Sequence, residues 1–151
     1  MKLDGTIDIA APAPAVWAAI IDPSDLAACV PGVRDVRQVD DRTFEGTIHA
    51  SVGPIDGAFA FRSVLVRTDY PTALVVEVEG TDSMTKSRVL AHIEAGLGST
   101  DGATTTLAYR ATVTTKGRLA IIGDMVLRAT AGVMISQVTK CLRARLEADP
   151  G

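Results

Sequence analysis

Residues 104–148 read TTTLAYRATVTTKGRLAIIGDMVLRATAGVMISQVTKCLRARLEA. The fold turns on the change of period inside this stretch. Up to Thr115, Leu107, Tyr109, Ala111 and Val113 alternate with Arg110, Thr112 and Thr114, the pattern of a half-buried strand over Thr104–Thr115. After Lys116-Gly117 the alternation stops. Leu119, Ile122, Val126, Ala129, Val133, Val138, Cys141 and Leu142 recur at three- and four-residue steps, with one slip near Met134 to Gln137. This predicts one long helix over Arg118–Ala148, with Gly123 and Gly132 as its only breakers. Its first half is apolar on a second side too, through Ala120, Ile121, Met125 and Leu127. One face can cover a sheet; the other calls for a ligand, a protein partner (a second copy among them) or a membrane.

Upstream, Lys2–Ala10 carries Leu3, Ile7 and Ile9 at strand spacing. Pro12 and Pro14 end it and open a helix over Ala15–Asp22, and a short second helix is expected over Asp25–Ala28 before Pro31-Gly32 turns the chain. The segments Val33–Val39, Thr43–Val52, Ile55–Thr68, Ala73–Thr81 and Lys86–Leu97 read as further strands. Their turns fall at Asp40-Asp41, Gly53-Pro54, Tyr70-Pro71 and Gly98–Gly102. The expected class is α+β: a seven-stranded curved antiparallel sheet wrapped around a long C-terminal helix, with two short helices after the first strand, in a single domain over residues 1–151.

Composition narrows the function. The 151 residues are 47% hydrophobic and 22% charged, a globular balance, and aromatics make up only 4%. A core of that make-up is smooth and aliphatic. A net charge of −3 with no basic run excludes nucleic acid, whose binding needs a cationic surface. The N-terminal segment lacks the pattern of a signal peptide, and no apolar stretch reaches the ~18 residues of a membrane span. A cytoplasmic protein with reduced Cys29 and Cys141 is expected.

No catalytic constellation appears. His49 and His92 lie in strands, with His92 on the face opposite Val89, Ala91 and Ile93, so both read as surface histidines. Neither a Cys/His/carboxylate group at metal spacing nor a phosphate-binding glycine loop is present, so no metal and no cofactor is expected. Cys29, in Leu26-Ala27-Ala28-Cys29-Val30, reads as a small buried hydrophobe. Arg62, Arg67, Glu77, Arg88 and Arg110 fit a solvated outer sheet face.

Specific words in the sequence resemble a known family. They are Met1-Lys2-Leu3-Asp4-Gly5, Ala11-Pro12, Val16-Trp17, Asp22-Pro23, Leu26, Cys29, Pro31-Gly32, Val52-Gly53-Pro54, Phe59, Gly117, Leu119-Ala120 and Gly123. In this order they resemble the CoxG family, named for the G component of carbon monoxide dehydrogenase, within the START (SRPBCC, birch-pollen-allergen-like) superfamily. The likeness runs over essentially the whole chain. It implies a helix-grip fold and an accessory role beside a molybdenum hydroxylase near the membrane, with a lipid, a quinone or another apolar molecule held between sheet and helix. Two departures stand out. Asp82-Ser83-Met84-Thr85-Lys86-Ser87 occupies the place of a Gly-Ala-rich stretch, and the sequence stops at Gly151 where some members extend toward a membrane. Anchoring in the membrane by this chain alone is therefore not expected, and peripheral contact remains as a partner.

The candidate cavity is assigned to Trp17, Leu26, Val30, Phe59, Phe61, Met84, Tyr109, Val113, Ile122, Val126, Thr130 and Met134. The Tyr109 hydroxyl is its lone polar handle, and Gly123, Ala129, Thr130 and Gly132 are expected to leave space beneath the helix. Two other readings stay open. One is a small cyclase- or hydrolase-type enzyme acting on an apolar substrate. The other is an assembly factor with a filled core that uses Ala120, Ile121, Met125 and Leu127 for protein contacts.

Overall fold

Alternation becomes sheet and the three-to-four spacing becomes helix in the computed structural model, which describes residues 1–82, 84, 86–99 and 101–147. Strand β1 (Lys2–Ile9) leads into α1 (Ala13–Ile21) and α2 (Pro23–Ala27). Six strands follow: β2 (Val33–Gln38), β3 (Thr43–Val52), β4 (Ile55–Asp69), β5 (Ala73–Asp82), β6 (Ser87–Gly98) and β7 (Thr105–Gly117). A 3-10 turn over Arg118–Ile121 precedes α3 (Asp124–Leu146). Of the expected elements and turns, Ser83, Thr85, Thr100 and Ala148 to Gly151 lie outside the described residues.

The strands form one antiparallel sheet in the order β1-β7-β6-β5-β4-β3-β2. Register shifts between Arg34 and Arg37 and between Leu65 and Arg67 place an extra residue in β2 and in β4 and bend those strands. Both short helices start earlier than expected. Proline in the first turn costs no hydrogen bond, so Pro14 lies inside α1 and Pro23 inside α2. Asp22 caps α2, its Oδ1 accepting from the Ser24 and Asp25 amides at 2.9 and 3.0 Å.

The C-terminal helix differs from the single run expected over Arg118–Ala148. Gly123 sits at φ 98°, a conformation that side chains with a Cβ avoid, and separates the 3-10 turn from α3. The 3-10 turn serves packing of its own, since it buries Leu119 against Val52 and Ile55. Two arginines then fix α3 along β1, an edge strand of the sheet. Arg128 donates to the Lys2 carbonyl oxygen at 2.8 Å and Arg143 to that of Asp8 at 3.0 Å.

The two cysteines correct the expectation of separate thiols. Cys29, just beyond α2, and Cys141, in α3, form a disulfide with a Cα–Cα distance of 5.4 Å. Their separation of 112 positions concealed a proximity that only the closed fold creates.

Fully buried apolar residues concentrate at two ends of the molecule. One cluster joins Ile9, Ala11, Val16, Trp17, Cys29, Leu74, Leu97, Leu107 and Leu142. The other joins Val52, Ile55 and Leu119.

Candidate functional site

Between those packed ends the inner face of the sheet is apolar but incompletely covered. Strand register places Leu3, Ala111, Ile93, Val76 and Leu65 on one inward rung. Val113, Ala91, Val78, Ser63 and Phe44 form the next, and Val89, Gly80, Phe61 and Gly46 lie on the one after. Ala111, Ser63 and Gly80 are buried; the other members of these rungs are only partly so. On α3, Leu127, Thr130, Ala131, Met134, Ile135 and Val138 are half-buried, and Leu142 is the helix's one fully buried residue. Apolar side chains that point inward yet keep accessible surface border space that is not filled.

The expected cavity residues divide on this frame. Phe61, Val113, Thr130 and Met134 are half-buried in the middle of the grip, and Tyr109 is half-buried against the first packed cluster. Thr130 spends its hydroxyl on the Val126 carbonyl oxygen at 3.0 Å. Trp17 and Phe59 are buried at 7% and 5% exposure, and Trp17 meets the Tyr70 ring edge-on at 5.5 Å, so both belong to packed core. Leu26 lines a small cavity of about 70 Å³ with Ile20, Ile21, Phe44, Leu65 and Val76. Val30 is half-buried just after α2. Ile122 packs beside Val52 and Ile55, and Val126 lies 36% exposed near Gly53.

Met84 is a correction. It is 90% exposed in the turn after β5, where its amide donates to Asp82 Oδ1 at 2.9 Å, and its side chain points to solvent. A second correction concerns the small residues. Ala129 and Gly132 are exposed on the far side of α3 and Gly123 is exposed ahead of its first turn, so none of the three leaves space beneath it. The inward stripe is instead Leu127, Ala131, Met134, Val138 and Leu142, a three-and-four series that Val126 and Val133 obscured with a competing one. Sequence reasoning left Leu3, Ile48, Val78, Ala91 and Ile93 out of the candidate cavity, although strand alternation places them on the inner face and had already set Ala91 and Ile93 opposite His92.

Polar chemistry inside the grip is sparse. His49 and His92 both face outward, and His92 lies 3.3 Å from Glu77 and 3.5 Å from Glu94. Arg62, Arg67, Glu77, Arg88 and Arg110 are all exposed on the outer face. Among the described residues no group of His, Cys, Asp or Glu could hold a metal ion. The inner face offers the Tyr109 phenol, the buried Ser63 hydroxyl on the rung of Val113 and Phe44 and, at one end, the buried pair Asp82 and Ser87.

A larger concavity, about 660 Å³, lies on the outer face over two neighbouring rungs. Asp4, Arg67, Asp69, Glu94 and Arg110 line it, with Thr6, Ala73, Gly96 and Ala108 between. Its charged rim and open form suit a solvated saddle of a twisted sheet, not the enclosure of an apolar guest.

The model of the CoxG family, the G component of carbon monoxide dehydrogenase, matches residues 5–147. No curated protein matches the sequence. Among solved structures, a conserved protein from Geobacillus kaustophilus superposes with a TM-score of 0.90 at 20% identity, covering 97% of this chain and 95% of that one. The Zhui aromatase/cyclase of Streptomyces sp. R1128 gives a TM-score of 0.72 at 16% identity, covering 100% and 98%. A START superfamily protein from Mycobacterium smegmatis gives 0.71 at 14% identity, covering 97% of each chain. At these identities the likeness establishes the helix-grip, START-like fold and nothing finer.

Proposed function

Because the chain belongs to the CoxG family of carbon monoxide dehydrogenase components, we propose that it reversibly binds a lipophilic small molecule, quinone- or lipid-like, between sheet and α3. In this reading it serves a molybdenum hydroxylase of the carbon monoxide dehydrogenase type as an accessory carrier and catalyses nothing itself. One observation carries the proposal: inward apolar residues, from Leu3 and Ile93 to Phe61 and Met134, keep accessible surface between two packed ends. Burying that surface against an apolar guest contributes about 25 cal/mol per Å². A cyclase- or hydrolase-type enzyme would need several convergent polar groups, whereas Tyr109, Ser63 and the Asp82–Ser87 pair lie on separate rungs of an otherwise apolar face.

The surface supports a place of work. Met84, Ile121 and Met125 are 84–90% exposed at the end formed by the β5–β6 turn and the start of α3. Lys86, Lys116 and Arg118 stand beside them, exposed and outside any salt bridge among the described residues. The opposite end carries Asp22, Asp25, Asp40, Asp41 and Asp101. Apolar prongs among cations fit peripheral contact with an anionic membrane, where the lipophilic molecule would be collected. The same prongs would serve the partner enzyme, or a second copy of the chain, at delivery. Leu127 takes no part, because it turns inward. No helix among the described residues is long and apolar enough to cross a membrane.

Mass spectrometry of protein purified from its native host, first native and then solvent-extracted, tests the ligand reading. A stoichiometric lipophilic compound released on denaturation is the expected result. A protein that is empty and takes up neither decylubiquinone nor phospholipid in titration overturns it.

A further inference from the structure

We propose that the Cys29–Cys141 disulfide is a redox-operated clasp that holds α2 over the grip and sets how fast a bound molecule leaves. This rests on the ligand reading above. Helix α2 packs on α1 and β2, but apart from the disulfide it has little contact with α3. None of its five residues is fully buried, and Asp25 reaches Arg145 of α3 only in an exposed pair at 3.7 Å. An ion pair so long and so solvated contributes little. The covalent link therefore carries the attachment of this flap to the helix it must meet.

The flap covers something. Pro23 and Leu26, with Ile20 and Ile21 of α1, wall one side of the small cavity of about 70 Å³. Its other wall includes Phe44, Ser63, Leu65 and Val76, members of the inward rungs that face the unfilled middle of the grip. Lifting α2 would thus open the interior from the side of β2–β5, away from the Ile121–Met125 end.

The two sulfurs are unequal in access, which orders the chemistry. Cys29 is 4% exposed, whereas Cys141 is only partly buried. A thiolate of an external vicinal dithiol, of the thioredoxin class, attacks Cys141 Sγ. The Sγ–Sγ bond breaks and Cys29 leaves as a thiolate. The second thiol of the reagent, deprotonated, then attacks its own sulfur in the mixed disulfide and releases Cys141. The dithiol is oxidised to a disulfide, and two electrons and two protons pass to Cys29 and Cys141. With that constraint gone, α2 samples lifted conformations and exchange quickens.

The test uses the whole protein loaded with the fluorescent apolar probe N-phenyl-1-naphthylamine, prepared without reductant. Iodoacetamide should label neither cysteine before treatment with dithiothreitol and both after it. Probe release should quicken about tenfold on reduction and return on reoxidation. Cys29→Ser and Cys141→Ser should release at the fast rate and ignore dithiothreitol. Hydrogen exchange should rise over residues 23–30 and not in β5 and β6. Several outcomes overturn the clasp while leaving the ligand reading standing: free thiols at the outset, equal release rates in both redox states, or exchange rising throughout the molecule. Probe binding in neither state overturns the ligand reading and the clasp together.

Discussion

The Tyr109 phenol lies across Gly5, its register partner on β1, so closely that a Cβ at position 5 would fall 2.5 Å from Oη and 2.8 Å from Cζ. The ring covers the bare backbone of an edge strand, and the glycine leaves it room to lie flat. Gly5→Ala should push the ring inward and destabilise the protein by about 1–3 kcal/mol, as overpacking does. Tyr109→Phe should keep the melting temperature close to that of the parent. It should weaken binding of an apolar probe bearing a carbonyl several-fold and leave binding of a pure hydrocarbon probe unchanged. Equal losses for both probes would deny the hydroxyl its role as a handle.

Filling the middle of the grip separates an open interior from a packed one. Ala91 is half-buried between Val78 and Val113 on the central inward rung. If the interior is open, Ala91→Phe should leave thermal stability equal or higher and abolish probe uptake. In a filled core the same change would cost ~1–3 kcal/mol. Thermal denaturation and probe titration of one variant give the sign.

Charge at the apolar end should act on docking without touching the fold. Met125 and Ile121 are 85% and 84% exposed, so Met125→Asp and Ile121→Asp should change stability by no more than about 0.5 kcal/mol. Co-sedimentation with vesicles containing phosphatidylglycerol should fall at least fivefold for each, and added salt should weaken the parent's binding. Unchanged sedimentation would remove the membrane from the reading. Retained affinity for the partner enzyme in the same variants would confine this end to lipid.

Acid sensitivity has an identifiable source in two loops. The Asp101 carboxylate accepts from the Thr104 and Ala103 amides at 2.8 and 2.9 Å, and these bonds hold its pKa below the ordinary aspartate value. Asp40 is lowered in the same way, chiefly by the Arg42 amide. A depressed folded-state pKa means that the stabilisation is complete above the unfolded value. It drains away as pH falls through the folded one. Melting curves taken from neutral pH down to about pH 3 should show Asp101→Asn losing less stability on acidification than the parent.

The sheet was legible because its signal is local. Leu107, Tyr109, Ala111 and Val113 alternate without a break, and strand positions on both sides of each turn follow from such runs. The division of the C-terminal helix was not legible. Gly123 breaks it through a backbone angle that the residue type permits but does not demand. The site was legible in part. Phe61, Tyr109 and Val113 follow from strand parity, whereas Met84 was misplaced because a turn has no parity to read. The Cys29–Cys141 pairing lay beyond any local pattern, since nothing near either cysteine encodes the other.

The pairing of β1 with β7 has a consequence for how the chain comes into being. Ile9 finds its partner in Thr105, and Arg143 reaches back to Asp8. During synthesis the first strand has no neighbour until β7 has followed it out of the ribosome. The meander of β2 to β6 is completed earlier, with an apolar face that α3 does not yet cover. Contacts this distant in sequence slow folding and prolong exposure of that face. The surface that makes the finished protein a container for apolar molecules is therefore the one that newly made chains must shield from one another.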